Sequence, residues 1–238
     1  MSESNAPAQT SEYDPSKLAE YSPLTHRLTQ FFELLRLFSP SFWLLQSRTA
    51  IQEKFASGDR HALTRDRSRK VEAYILAWLA LEVVLVAVVM TWPSAYSRWW
   101  VTFLATWRLV DIFQVSMNLT VFDRLRMKSE HHYVASVARI AILSLWNYVE
   151  AIVCFGILYA NHHALLIRTV ANTALDCFDP FYFSAITQLT IGYGDIAPIG
   201  GMRAVAALQG LLGFVLGVFA ISRVIAFLPK TRTIMRDD

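Results

Sequence analysis

The chain has 238 residues, of which 54% are hydrophobic and only 17% charged, with a formal net charge of +3. That balance excludes a highly charged soluble or largely disordered protein and points to a membrane protein. The positive excess is small and no arginine- and aromatic-rich patch stands in a soluble segment, so nucleic acid is not expected as a partner.

Residues 1–23 are rich in Ser, Pro, Glu and Ala and poor in large apolar side chains. Such a composition does not offset the entropy of folding, so disorder is predicted, and there is no apolar stretch of the kind a signal peptide needs. Within 24–70, Leu28, Phe31, Phe32, Leu35 and Phe38 recur at helical spacing opposite Arg27, Gln30, Glu33 and Arg36. This predicts an amphipathic helix on the inner membrane surface, near anionic lipid, followed by a charged linker from Ser57 to Lys70. Subunit packing is the other use for that apolar face.

A hydrocarbon core about 30 Å thick is crossed by a helix of roughly twenty apolar residues. Blocks of that kind run over 71–92 and 99–122, joined by the tight turn Pro93–Arg98, and predict a transmembrane helical hairpin. A third block runs over 134–160 and a fourth over 202–228, where Pro229 favours an end. Lys and Arg crowd the segment before the first block, recur at Arg124, Arg126 and Lys128, and return at Lys230, Arg232 and Arg236 in the tail 229–238. The positive-inside rule then places both termini in the cytoplasm, which requires an even number of spans and so agrees with four. Cys154 and Cys177 are expected to be free thiols.

Between the third and fourth blocks, residues 179–189 are apolar but too short to span, since about ten helical residues rise only about 15 Å. A re-entrant pore helix is predicted, with Asp179 as its cap and Pro180 at its first position. If the helix enters from outside, its carboxyl end directs about half a negative charge at the membrane centre and favours a cation there. Thr190-Ile191-Gly192-Tyr193-Gly194-Asp195 follows. Gly192 and Gly194 permit backbone angles that a Cβ resists, so successive carbonyls can face one side. One copy would leave those carbonyls unsatisfied at membrane depth, whereas several copies around an axis can replace an ion's hydration shell.

In this setting Thr190–Asp195 resembles the selectivity filter of the tetrameric potassium channel superfamily, and the resemblance extends over 134–228. It implies an outer helix 134–160, a pore helix 179–189, a filter 190–195 and an inner helix 202–228 in a homotetramer. It further implies K+ at the carbonyls of Thr190, Ile191, Gly192 and Tyr193, with the Thr190 hydroxyl, and a brace from Tyr182, Phe183 and Tyr193 behind them. Leu189 departs from relatives that have a second threonine before the filter, so the innermost lining is expected to differ. Gly213 stands where relatives bend the inner helix. Gly213 and Gly217 are therefore candidate hinges, or close-packing positions between helices.

Glu82, Arg108, Asp111, Arg139, Glu150 and Arg223 fall within or near the spans, where an uncompensated charge costs about 2.5–3.5 kcal/mol on insertion scales. Their depths predict the ion pairs Glu82–Arg108 and Asp111–Arg139, read as a clamp between hairpin and outer helix. No arginine row of a voltage sensor is present. His131-His132 and His162-His163 flank the third block and are expected to be solvated loop residues rather than sensors.

The expected protein is therefore an all-α integral membrane protein of the cell membrane. Each subunit has four transmembrane helices and a re-entrant pore loop between the third and fourth. It passes K+ passively and needs no cofactor beyond the permeant ion. A weakly selective monovalent cation channel and a non-conducting regulatory or scaffold subunit are the alternatives. No nucleophile with its base, phosphate loop or metal-ligand cluster suggests an enzyme.

Overall fold

The computed structural model describes residues 60–91, 98–118, 120, 137–170 and 174–227, together with the isolated positions 27, 30 and 34. The side chains of 60–68 and 137–139 lie outside that description. So do nearly all of the expected amphipathic helix, the hairpin turn and the tail.

Five helices and two short strands make up the described chain. Helix α1 is Arg60–Thr91, α2 Trp99–Met117, α3 Val137–Asn161, α4 Asp179–Gln188 and α5 Met202–Phe227. Strand β1 is Leu166–Arg168, preceded by a single 3-10 turn at His163–Leu165, and β2 is Ile196–Pro198. The strands run antiparallel, with Leu166 opposite Pro198, Ile167 opposite Ala197 and Arg168 opposite Ile196. This two-stranded ribbon is a small addition to a mostly helical chain, which fits the expected all-α membrane class. It fastens the segment leaving α3 to the segment that follows Asp195.

Among the described residues, three helices are long and apolar enough to cross a membrane, over Arg69–Thr91, Ile140–Asn161 and Met202–Ile225. α2 is not among them, because Arg108, Asp111 and Gln114 interrupt its apolar sequence. All three of those side chains are buried in protein.

Each helix shows which face it packs. On α1, Trp78, Glu82, Leu85 and Val89 are buried at alternating spacings of four and three, while Leu76, Val83 and Val84 stay exposed. On α5 the buried stripe is Gln209, Gly213, Leu216, Ala220 and Arg223, opposite the exposed Leu208, Leu211, Phe214, Val218 and Ile221. An apolar face left outside a single chain is suited to lipid or to another copy. α3 is the central element, packed against α1, α2, α4 and α5. Its Ala151, Cys154, Phe155, Ile157, Leu158 and Tyr159 are accordingly buried on several sides.

Polar side chains secure two ends of this bundle. At one, Asn161 accepts from the Arg98 amide (3.1 Å) and donates to the Arg98 carbonyl (2.9 Å) and to Thr102 Oγ1 (3.0 Å). Thr102 also meets His162 Nε2 at 2.9 Å, and burial lowers the His162 pKa below its ordinary value. At the other end, Arg223 donates to the Ser116 carbonyl (3.3 Å), to Thr120 Oγ1 (2.5 Å) and to the Ser144 hydroxyl. That guanidinium therefore joins α5 to both α2 and α3.

Candidate functional site

The short helix α4 begins one residue earlier than its expected cap implies. Phe178 is the N-cap and makes no side-chain capping bond; Asp179 lies in the first turn, with Pro180 after it. The expected capping role of Asp179 is thus corrected. Its Oδ2 instead accepts from the Asp176 amide at 2.7 Å and from the Arg168 guanidinium. A carboxylate in the first turn still complements the helix dipole. The helix ends at Gln188, and Leu189 is its half-exposed C-cap.

The chain then reverses against the end it has just left. The Leu189 amide donates to the Ala185 carbonyl (2.9 Å) and the Thr190 amide to Thr187 (3.1 Å). Both the Ile191 and the Gly192 amides point at the Ile186 carbonyl, at 2.8 and 3.4 Å. In a trans peptide the N–H is antiparallel to the preceding C=O. With the amides of 190, 191 and 192 turned to α4, the carbonyls of Leu189, Thr190 and Ile191 are turned away from it.

Positive φ recurs at every second residue, with Thr190 at 58°, Gly192 at 59° and Gly194 at 76°. Glycine adopts that region freely, but a threonine there is held against its preference. Thr190 is the only non-glycine residue with positive φ among the described residues. Gly192 and Gly194 have open space where a Cβ would stand, so the requirement at both is conformational.

Beyond Gly194 the carbonyls serve the scaffold. Thr169 Oγ1 donates to the Gly194 carbonyl at 2.5 Å, and the Thr169 amide to the Asp195 carbonyl at 2.8 Å. Thr169 immediately follows β1, so the ribbon fixes the far end of the 190–195 segment. Residues 189–194 are exposed in the single chain, Tyr193 by 70%.

Behind this segment lies a buried polar network that sequence reasoning missed. Gln209 of α5 is fully buried, and its Nε2 donates to the Ser184 carbonyl (2.9 Å) and hydroxyl (2.8 Å). Its Oε1 accepts from the Tyr159 hydroxyl of α3 at 2.7 Å. Ser184 donates in turn to the Ile152 carbonyl at 2.7 Å. Gln188 and Tyr148 form a reciprocal pair: Gln188 Nε2 donates to the Tyr148 carbonyl (2.8 Å) and Tyr148 Oη to the Gln188 carbonyl (3.2 Å). Two glutamines within apolar segments, Gln188 and Gln209, were the available signal.

The expected braces divide. Phe183 is buried and sets its ring against Tyr159 at 4.9 Å in an edge-on arrangement, so it seats α4 on α3. Tyr182 lies beside Asp195 and Tyr193. Gly213 packs against Gln188, whereas a Cβ at Gly217 would meet the Tyr148 ring at an ordinary 3.5 Å.

One of the two expected intramembrane pairs is rearranged. Arg108 binds Asp111 at 2.7 Å and Glu150 at 2.6 Å, in place of the expected Glu82. Asp111 is held by Arg108 and the Tyr74 hydroxyl, and the side chain of its expected partner Arg139 lies outside the described residues. Depth along the helices brought these groups to one level, but which faces meet was not legible from depth. The Arg108 guanidinium also stands 5.1 Å from the Trp78 ring and 5.4 Å from Tyr74, within cation–π range.

Two long apolar helices thus bracket a short helix and a glycine-containing turn. Residues 133–230 match the family described as "Ion channel". The chain is 28% identical over 104 residues to "Protein LctB" of Bacillus caldotenax and equally to that of Geobacillus stearothermophilus. The match covers 39% of this chain and 78% of each relative. No solved structure matches.

Proposed function

We propose that this chain is the pore-forming subunit of a potassium-selective channel, assembled as a homotetramer with Thr190–Asp195 of each copy around one axis. The observation that carries this reading is the common direction of the Ile191 and Gly192 amides toward the Ile186 carbonyl. It turns the Thr190 and Ile191 carbonyls to the opposite side as a strip of ligands. A lone strip of carbonyls is poorly satisfied within a membrane, and four around an axis supply oxygen cages for a dehydrated monovalent cation. The alternating sign of φ supports extension of the strip through Gly192 and Tyr193.

In this reading α2 is the fourth transmembrane helix, its polar face shielded by α1 and α3, and α4 enters from outside. Both termini are cytoplasmic, and anionic lipid meets the segment 24–70. The permeant K+ is cargo and no cofactor takes part.

The test is planar-bilayer current from the purified chain under opposed sodium and potassium gradients, with Gly192→Ala as comparison. The expected result is a reversal potential at the potassium equilibrium value, lost in the variant. Current that reverses at zero in both proteins overturns potassium selectivity.

A further inference from the structure

Among the described residues where the hairpin meets α3, buried carboxyl groups outnumber guanidinium groups. The titratable groups facing this seam among the described residues are Tyr74 and Glu82 of α1, Arg108 and Asp111 of α2, and Glu150 and Cys154 of α3. One guanidinium stands against three carboxyl groups. Arg108 commits Nη1 to Asp111, and both Nε and Nη2 to Glu150 Oε1 at 2.6 Å. Neither of the bonds to Glu150 reaches its other carboxyl oxygen. Its Oε2 is buried with no hydrogen-bond partner.

Glu82 approaches Glu150 from α1. Its carboxyl group lies within hydrogen-bonding reach of Glu150, and its Oε1 accepts from Cys154 Sγ at 3.4 Å, one helical turn beyond Glu150. Glu82 is 4% exposed and Glu150 3%. Both line a cavity of about 230 Å³ between α1 and α3 whose other walls are Leu79, Val83, Val86, Trp146, Val149 and Val153. Two ionised carboxylates facing one another among such side chains repel without a screening cation. A proton on Glu82 removes the second charge and supplies the donor that Glu150 Oε2 lacks, as in carboxyl pairs that share one proton.

We propose that Glu82 and Glu150 form a proton-binding site that holds one proton between the hairpin and the outer helix, with Glu82 as the acid and Glu150 as the Arg108-bound carboxylate. The site depends on the packing of α1 against α3 and is independent of which ion the pore conducts.

Infrared spectroscopy of the full chain in lipid vesicles at neutral pH tests this, taken in H2O and D2O. The difference between wild type and Glu82→Gln is expected to contain the carbonyl stretch of a protonated carboxylic acid, shifted in D2O. Gln keeps a donor for Glu150, so the variant is expected to fold, and Glu82→Leu provides a second comparison. Loss of the band in each folded variant supports the site. A difference spectrum without that band, or a band that persists in either variant, overturns it.

Discussion

Gly213 of α5 lies so close to Gln188 that a methyl group in its place would stand 2.6 Å from the glutamine Cγ and 3.1 Å from its carbonyl oxygen. The backbone oxygen cannot swing aside as a flexible side chain can. Gly213→Ala is therefore expected to displace the end of α4, with a cost of about 1–3 kcal/mol from overpacking. Thermal unfolding and the K+/Na+ permeability ratio check this together. A hinge role alone would instead reduce opening while leaving stability and selectivity in place.

Gln209→Leu removes the donor to Ser184 and the acceptor for Tyr159 while nearly preserving volume. Each buried group left unsatisfied costs about 1–3 kcal/mol. The expected outcome is a lower unfolding temperature and, because Ser184 sits within α4, under the proposed function a faster loss of ion selectivity during sustained current. Tyr159→Phe should give a smaller effect in the same direction, since it removes one bond of the network.

Arg108→Gln should be more damaging than either. It leaves Asp111 and Glu150 without the guanidinium that neutralises them, a loss of about 3–5 kcal/mol for a broken buried pair. Arg108→Lys is not expected to rescue, because an ammonium cannot reproduce the fork to both carboxylates or the placement between Trp78 and Tyr74. Yield of folded protein and its unfolding temperature are the readouts.

The His162 pKa is lowered by burial, so the native state takes up a proton less readily there than the unfolded chain. Its stabilising contribution is complete above the unfolded value of about 6.5 and is lost as pH falls through the lower native value. Wild type is thus expected to lose stability on acidification in that window by more than His162→Gln does. Thermal unfolding across a pH series measures the difference.

Much of the fold was legible because apolar length is a direct consequence of a bilayer solvent. The bounds of α3 and α5 fall within a few residues of the apolar blocks that announced them. The glycines and the Pro180 start announced the turn and the short helix, since only backbone freedom and a missing N–H explain those residues there. Side-chain partnership was less legible. Asp179 has the composition of a cap, but Arg168 and the Asp176 amide claim its carboxylate from elements that sequence did not predict, including a strand. Arg108 was correctly placed in depth yet assigned the wrong glutamate, because a helical periodicity fixes level and face only relative to its own axis. The positive φ at Thr190 had no signal in the residue type.

Arg223 gives the far end of α5 a mechanical meaning. Its bonds to the Ser116 carbonyl and Thr120 on one side and to Ser144 on the other lie more than five turns of helix from Met202, by about 3.6 residues per turn. If α5 swung outward alone, it would have to break these largely buried bonds. The lower-cost displacement carries the ends of α2 and α3 along with it, so the unit that would move is a three-helix block.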